Sequence, residues 1–359
     1  MKKFYLILVF GLISFIGSAQ DVKYVFKEAS ELNLIGKLLP TPNPYHRVDT
    51  VKYKGFTEQE NSQVRCSAGI AVLFKTNSST ISVKPEIVYT RFTTSTSGIA
   101  TRGFDLYIKK DGKWLYAASQ SVSVEKVTNT VLVSDMAEGE KECMLYLPMY
   151  SELRSVLVGV EEGATLEPLE SPFRHRIGVF GSSFTQGIGI TRAGMSWPMQ
   201  LMRRTGLQFL NLGCSGNCKM QIYFADALRD ADVDAVVFDA FSNMGVKYIK
   251  ERLCPFIERI RAVQPDTPLI FLQTIRRENR NFSTALEARE SNRQEVVSEL
   301  MKEVCAKYNN VHFIPNTNAA DSRQETSVDG IHPNDYGYTL WAESIHGPLL
   351  EILSKYGIN

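Results

Sequence analysis

Five short apolar runs, at 176–180, 207–212, 234–239, 268–272 and 311–314, punctuate the second half of the chain and alternate with longer segments of helical character. A strand reads as a near-continuous Val, Ile, Leu and Phe run when both of its faces are buried. Met195 to Arg204, Ala285 to Tyr308 and Tyr336 to Tyr356 read as helices. Tyr248 to Val263 has apolar residues at three- and four-residue steps, which is the amphipathic period. A strand–helix repeat of this kind folds as a parallel sheet covered by helices on both faces. The region from residue 171 to 359 is therefore predicted to be one α/β domain.

Upstream the pattern is different. Residues 20–170 carry closely spaced β-rich runs: Gly69 to Phe74, Thr80 to Val83, Phe104 to Ile108, Trp114 to Tyr116 and Glu140 to Leu147. Lys110-Asp111-Gly112 between two of them is a hairpin turn signal. With no convincing helix among them, these strands predict an antiparallel β-sandwich, jelly-roll-like in character. Glu167 to Pro172, with its two prolines, is the expected boundary. The chain's 359 residues suffice for both domains.

Forty Lys and Arg against 39 Asp and Glu leave a net charge of +1 with no long basic run. This argues against nucleic acid or an anionic membrane as a partner. Lys2 and Lys3, the apolar run Phe4 to Ile16 and the small residues Gly17-Ser18-Ala19 read as a signal peptide, residues 1–19, cleaved after Ala19. The run is shorter than the ~20 residues that span a bilayer. The mature protein is thus expected to be exported, periplasmic or extracellular, without an integral membrane segment. Cys214 and Cys218 lack the spacing of a redox pair, and the six cysteines are expected to be unpaired and buried.

In an open parallel sheet, ligands bind beyond the carboxyl ends of the strands. Four loops with suggestive chemistry fall there. Gly181-Ser182-Ser183 follows the first strand, Gly213 to Asn217 the second, Phe241-Ser242-Asn243 the third, and Asp329-Gly-Ile-His332 the last. Of five histidines, only His332 lies in a loop at that edge, and Asp329 beside it can fix the ring tautomer. Ser183 is preferred to Ser182 as nucleophile, although two serines at a helix start also serve as caps. Gly216 offers a backbone N–H and Asn243 a side-chain amide to an oxyanion. Ser182, Asn217 and Trp197 are candidate substrate contacts. Asn217 and Ser215 also suit a turn, and Trp197 and Tyr223 suit either sugar stacking or helix burial.

These blocks, Gly181-Ser182-Ser183, Gly216 within Asn211 to Asn217, Asn243 and Asp329-x-x-His332, resemble those of the SGNH, or GDSL-type, hydrolase superfamily over residues 175–355. The resemblance implies a flavodoxin-like three-layer α/β/α domain. It also implies a Ser183–His332–Asp329 triad and an oxyanion hole of the Ser183 N–H, the Gly216 N–H and the Asn243 side chain, with no metal or cofactor. Two departures bear on substrate and rate: Ser182 stands where the family usually has Asp, and Asn243 lacks the usual Gly and Asp around it. Gly103 to Tyr107 is similar to the Gly-x-Asp-Leu-Tyr signature of a β-rich module found before such esterases. The expected function is hydrolysis of small acyl esters, acetyl foremost, on a glycan or small molecule. A lysophospholipid or platelet-activating-factor-like esterase and a non-catalytic glycan-binding protein are the alternatives.

Overall fold

The computed structural model describes residues 22–359; the expected signal peptide lies outside them. Ten strands come first: β1 (Tyr24–Glu28), β2 (Asn33–Ile35), β3 (Ala71–Thr76), β4 (Ile81–Thr90), β5 (Gly103–Lys110), β6 (Lys113–Ser121), β7 (Thr130–Val133), β8 (Lys141–Tyr146), β9 (Ser151–Glu161) and β10 (Glu167–Pro168). They form two antiparallel sheets. One has the order β1-β9-β4-β7, the other β10-β3-β8-β5-β6 with β2 also paired to β3. The β5–β6 hairpin turns at Asp111 and Gly112, whose φ angles of +50° and +74° suit a tight hairpin.

Side chains on a strand alternate between faces, and the larger sheet buries both. Val72 and Phe74 of β3, Phe104 and Leu106 of β5, and Cys143 and Leu145 of β8 fill the sandwich core. Ala71, Leu73, Tyr107, Met144 and Tyr146 point the other way and join the core of the second half of the chain. The β-module is thus fused to its neighbour through a continuous apolar layer.

Two short helices interrupt this module, contrary to the helix-free reading: α1 (Glu58–Val64) and α2 (Gly98–Arg102). Both are too short to show a period. Thr57 and Glu60 do form a reciprocal capping box at the start of α1.

The second half is a five-stranded parallel sheet of β11 (Arg174–Gly181), β12 (Leu207–Gly213), β13 (Ala235–Asp239), β14 (Leu269–Leu272) and β15 (Val311–Ile314), in the order β12-β11-β13-β14-β15. The helices are α3 (Ser183–Gln186), α4 (Trp197–Thr205), α5 (Ile222–Arg229), α6 (Val246–Arg261), α7 (Thr284–Lys307) and α8 (Asp335–Ser354). One sheet face packs on α4 and α8, the other on α5, α6 and α7. This is the three-layer flavodoxin-like arrangement, with strand order reversing at β11.

Strand β12 is an edge, and an unpaired edge needs cover. Arg47, fully buried, supplies it by donating to the carbonyls of Asn211 (3.0 Å) and Gly213 (2.9 Å), and to those of Cys66 and Gln63 in its own module. Among the described residues no helix is long and apolar enough to cross a membrane. All six cysteines are free; Cys254 of α6 and Cys305 of α7 are half-buried rather than buried, packing at the margin of the core on that face of the sheet.

Candidate active site

Strand β11 ends at Gly181, and the chain turns at once into the single-turn helix α3. Ser182 is the N-cap: its hydroxyl accepts from the Phe184 N–H at 3.2 Å and donates to Asp239 at 2.7 Å. At 1% exposure it cannot meet a substrate, which corrects its reading as a substrate contact. The cap thus falls to Ser182, which leaves the Ser183 hydroxyl uncommitted to the helix start. Ser183, one position on, directs Oγ to within 3.0 Å of His332 Nε2.

His332 Nδ1 lies 2.8 Å from Asp329 Oδ2. Asp329 Oδ1 accepts from the backbone N–H of Ile331 (3.0 Å) and of His332 (2.8 Å), so the carboxylate organises its own turn. Oδ2 also accepts from the Ser95 hydroxyl of the β-module at 2.8 Å. Partial burial raises this carboxyl, but the donors from His332, Ile331 and Ser95 outweigh it and bring Asp329 down to about 2. A depressed carboxyl contributes its stabilisation above the ordinary carboxylate range and loses it only as pH falls through about 2. Asp329 therefore stays ionised across the working range.

The loop bearing Asp329 and His332 is anchored from outside. Glu278, in the loop after β14, accepts from the backbone N–H of Thr326 (2.8 Å) and Ser327 (3.1 Å) and from both hydroxyls. The Asn279 N–H donates to the Gly330 carbonyl at 2.8 Å.

Three donors face the same cavity. Ser183 occupies the first position of α3, where a backbone N–H has no intrahelical partner. The Gly216 N–H has no hydrogen-bond partner among the described residues. Asn243 gives one amide hydrogen to the Asn217 carbonyl at 3.0 Å, leaving the second. Asn217, itself held by Gln63 at 2.8 Å, thus positions Asn243 and does not line the cavity. The candidate substrate contact Trp197 is also corrected: it is fully buried, 5.3 Å from the Trp341 ring, because the start of α4 faces the core. Tyr223 turns to Glu60 at 2.8 Å.

The cavity over these groups measures about 440 Å³. Ser183, Ser215, Gly216, Asn243 and His332 line it, with Phe184, Ile188 and Ile331 as its apolar wall. Gln59, Arg91, Thr93 and Ser95 of the β-module and Arg277 of the loop after β14 complete it. Sequence reasoning missed these five. The same sheet-edge rule that found the other loops would have flagged Arg277; no local signal marks the rest.

The Gly103–Tyr107 segment lies elsewhere. Asp105 accepts from the Gly194 N–H at 2.8 Å and pairs with Arg192 at 3.0 Å. Arg192 also donates to the Tyr107 hydroxyl. A Cβ on Gly194 would come within 2.6 Å of that hydroxyl, so glycine permits the close approach. These residues clamp the module to the turn before α4.

Residues 174–349 match the model of the GDSL-like lipase/acylhydrolase family, and residues 22–166 that of the GxDLY N-terminus of SGNH hydrolase-type esterases. A GDSL-like lipase structure from Bacteroides ovatus is 37% identical, with 92% of this chain and 98% of that one aligned at a TM-score of 0.88. The salicylyl-acyltransferase SsfX3 of a tetracycline biosynthetic pathway aligns over 94% and 99% at 19% identity and a TM-score of 0.70. A family two carbohydrate esterase from Clostridium thermocellum, solved with cellohexaose, aligns over 81% and 94% at 17% identity and 0.59. No curated protein matches the chain. With its sandwich module, its parallel-sheet domain and these likenesses, the chain belongs to the GDSL-like lipase/acylhydrolase family and is an SGNH-type esterase.

Proposed function

We propose that the protein is an exported serine esterase that removes small acyl groups, acetyl foremost, from carbohydrate. The observation that carries this reading is the continuous hydrogen-bonded path from Ser183 Oγ through the His332 ring to Asp329. With Nδ1–H directed at the carboxylate, Nε2 is free to take the hydroxyl proton as Oγ attacks the ester carbonyl. Asp329 stabilises the imidazolium that forms. The Ser183 and Gly216 N–H groups and the Asn243 amide receive the oxyanion. His332 then protonates the departing alcohol, and water releases the acyl group by the same steps. Asn243→Ala is expected to lower kcat about a hundredfold with little change in KM, read by steady-state hydrolysis of an aryl acetate.

A cavity of about 440 Å³ suits a small acyl group, and only Phe184, Ile188 and Ile331 give it an apolar wall. Gln59 and Arg91 also border a depression of about 1000 Å³ across the β-module, room for further sugar units. Structures of the same fold include the cellohexaose-bound esterase above and an acetyl xylan esterase from Butyrivibrio proteoclasticus, which point the same way. Acetylated xylo-oligosaccharides are expected to exceed lysophosphatidylcholine in kcat/KM; the reverse order would reassign the substrate to lipid. Export is tested by the mature protein's mass, which should correspond to a chain beginning at Gln20.

Ser95 reaches the acid from the other domain, so the β-module contributes to catalysis as well as to shape. Ser95→Ala should reduce kcat about tenfold through loss of one hydrogen bond to a charged acceptor, with Ser95→Thr restoring most of it. Because its donors hold Asp329 down at about 2, ionisation of Asp329 should not appear in the wild-type kcat/KM profile above about pH 4.

A further inference from the structure

The wall of the catalytic cavity carries positive charge without a carboxylate to match it. Arg91 comes from the loop after β4 and Arg277 from the loop after β14, and no Asp or Glu shares the lining with them. Arg91 makes no ion pair among the described residues. Its neighbour is neutral: with the Gln59 amide turned so that its oxygen faces the guanidinium, that oxygen accepts from both terminal nitrogens at 3.2 Å. In the adjoining depression, Glu152 is taken by Arg65 at 3.3 Å and His46 at 3.0 Å, and Glu58 is in no ion pair with Arg91.

Arg277 is more constrained. Its side chain is 14% exposed, and its one carboxylate, Glu290, stands at 3.8 Å. The same carboxylate pairs with Arg293 and, at 3.4 Å, with Arg289. One buried anion therefore serves three guanidiniums. Arg277 Nε is buried without a partner, and only the Ser242 carbonyl, at 2.7 Å, receives a hydrogen bond from this side chain. Burial lowers the Arg277 guanidinium below its ordinary range, and the nearby Arg289 and Arg280 add to that against the pull of Glu290 and Asp239. A buried cation with too little countercharge is costly, and an incoming anion relieves it.

Resting on the assignment of Ser183 as nucleophile, we propose that Arg91 and Arg277 form a carboxylate subsite, so that the preferred ester carries a carboxylate on its alcohol or its acyl part. A planar guanidinium fork matches a carboxylate in two parallel hydrogen bonds, and one fork from each domain borders the cavity that receives the ester.

The test compares three esters: phenyl acetate, which is neutral; para-acetoxybenzoate, with the carboxylate on the leaving alcohol; and monophenyl succinate, with it on the acyl group. The readout is the ratio of kcat/KM for each anionic ester to that for phenyl acetate. Arg91→Gln is expected to lower one of these ratios about tenfold or more, and Arg91→Lys to lower it less, since the charge remains without the fork. A fall confined to para-acetoxybenzoate assigns the carboxylate to the alcohol; one confined to monophenyl succinate assigns it to the acyl group. Ratios that Arg91→Gln leaves unchanged, in an enzyme that does hydrolyse phenyl acetate, overturn the subsite alone. Equal turnover of all three esters by wild type and Ser183→Ala overturns the nucleophile assignment instead.

Discussion

Ser183→Ala is expected to cut kcat on an aryl acetate by about ten-thousandfold or more, leaving only the weak catalysis that binding and oxyanion donors sustain. The change removes Oγ and nothing else of consequence. That atom's hydrogen-bond partner is His332 Nε2, and the Cβ stays in place. The melting temperature should therefore stay close to wild type. Ser182→Ala is the informative contrast. It deletes an N-cap, worth ~1 kcal/mol, and one of the donors to the fully buried Asp239. Burial raises the Asp239 carboxyl, while Ser182, Ser242 and Thr185 hold it back. Ser182→Ala should accordingly lose stability while keeping measurable turnover. Steady-state kinetics and a thermal melt on both variants read the two effects separately.

Asp105→Ala is expected to destabilise the fold by about 3–5 kcal/mol, the range for removing one partner of a buried ion pair. Asp105 is 1% exposed and Arg192 19%. Truncation would leave the guanidinium with the Tyr107 hydroxyl and Met195 sulfur as partners and the Gly194 N–H without an acceptor. The effect should reach the catalytic centre, because the clamp holds the module that delivers Ser95 and Arg91. Asp105→Asn keeps an acceptor for Gly194 and should cost less. Urea unfolding of both variants decides this: an Asp105→Ala chain within 1 kcal/mol of wild type would mean that the clamp contributes little.

How far the site was legible followed from whether a local rule pointed to it. Loops after parallel strands must meet at one edge, so Ser183, Gly216, Asn243 and the Asp329–His332 turn could be brought together on paper. Ser182 and Ser183 could not be separated by spacing; their roles depend on which begins the helix and which caps it. Trp197 reads first as a buried helix residue and second as a stacking surface, and the direction of α4 decides for burial. The Asp105 and Tyr107 contacts depend on the second buried face of a sheet. That double burial shows in the apolar runs of β3 and β8, but the partner surface does not. The Ser95–Asp329 hydrogen bond spans 234 positions, and no periodicity carries information over that distance. Helix α5, at eight residues, was too short to stand out between β12 and β13.

The assignment of Ser183 as nucleophile is tested most directly by covalent trapping. An aryl phosphonate ester, whose tetrahedral phosphorus imitates the intermediate, should inactivate the enzyme with one equivalent bound. Peptide mapping should place the adduct on Ser183 Oγ, and His332→Ala should slow labelling severely. An adduct on Ser182 or on any other residue, accompanying full loss of activity, would contradict the assignment.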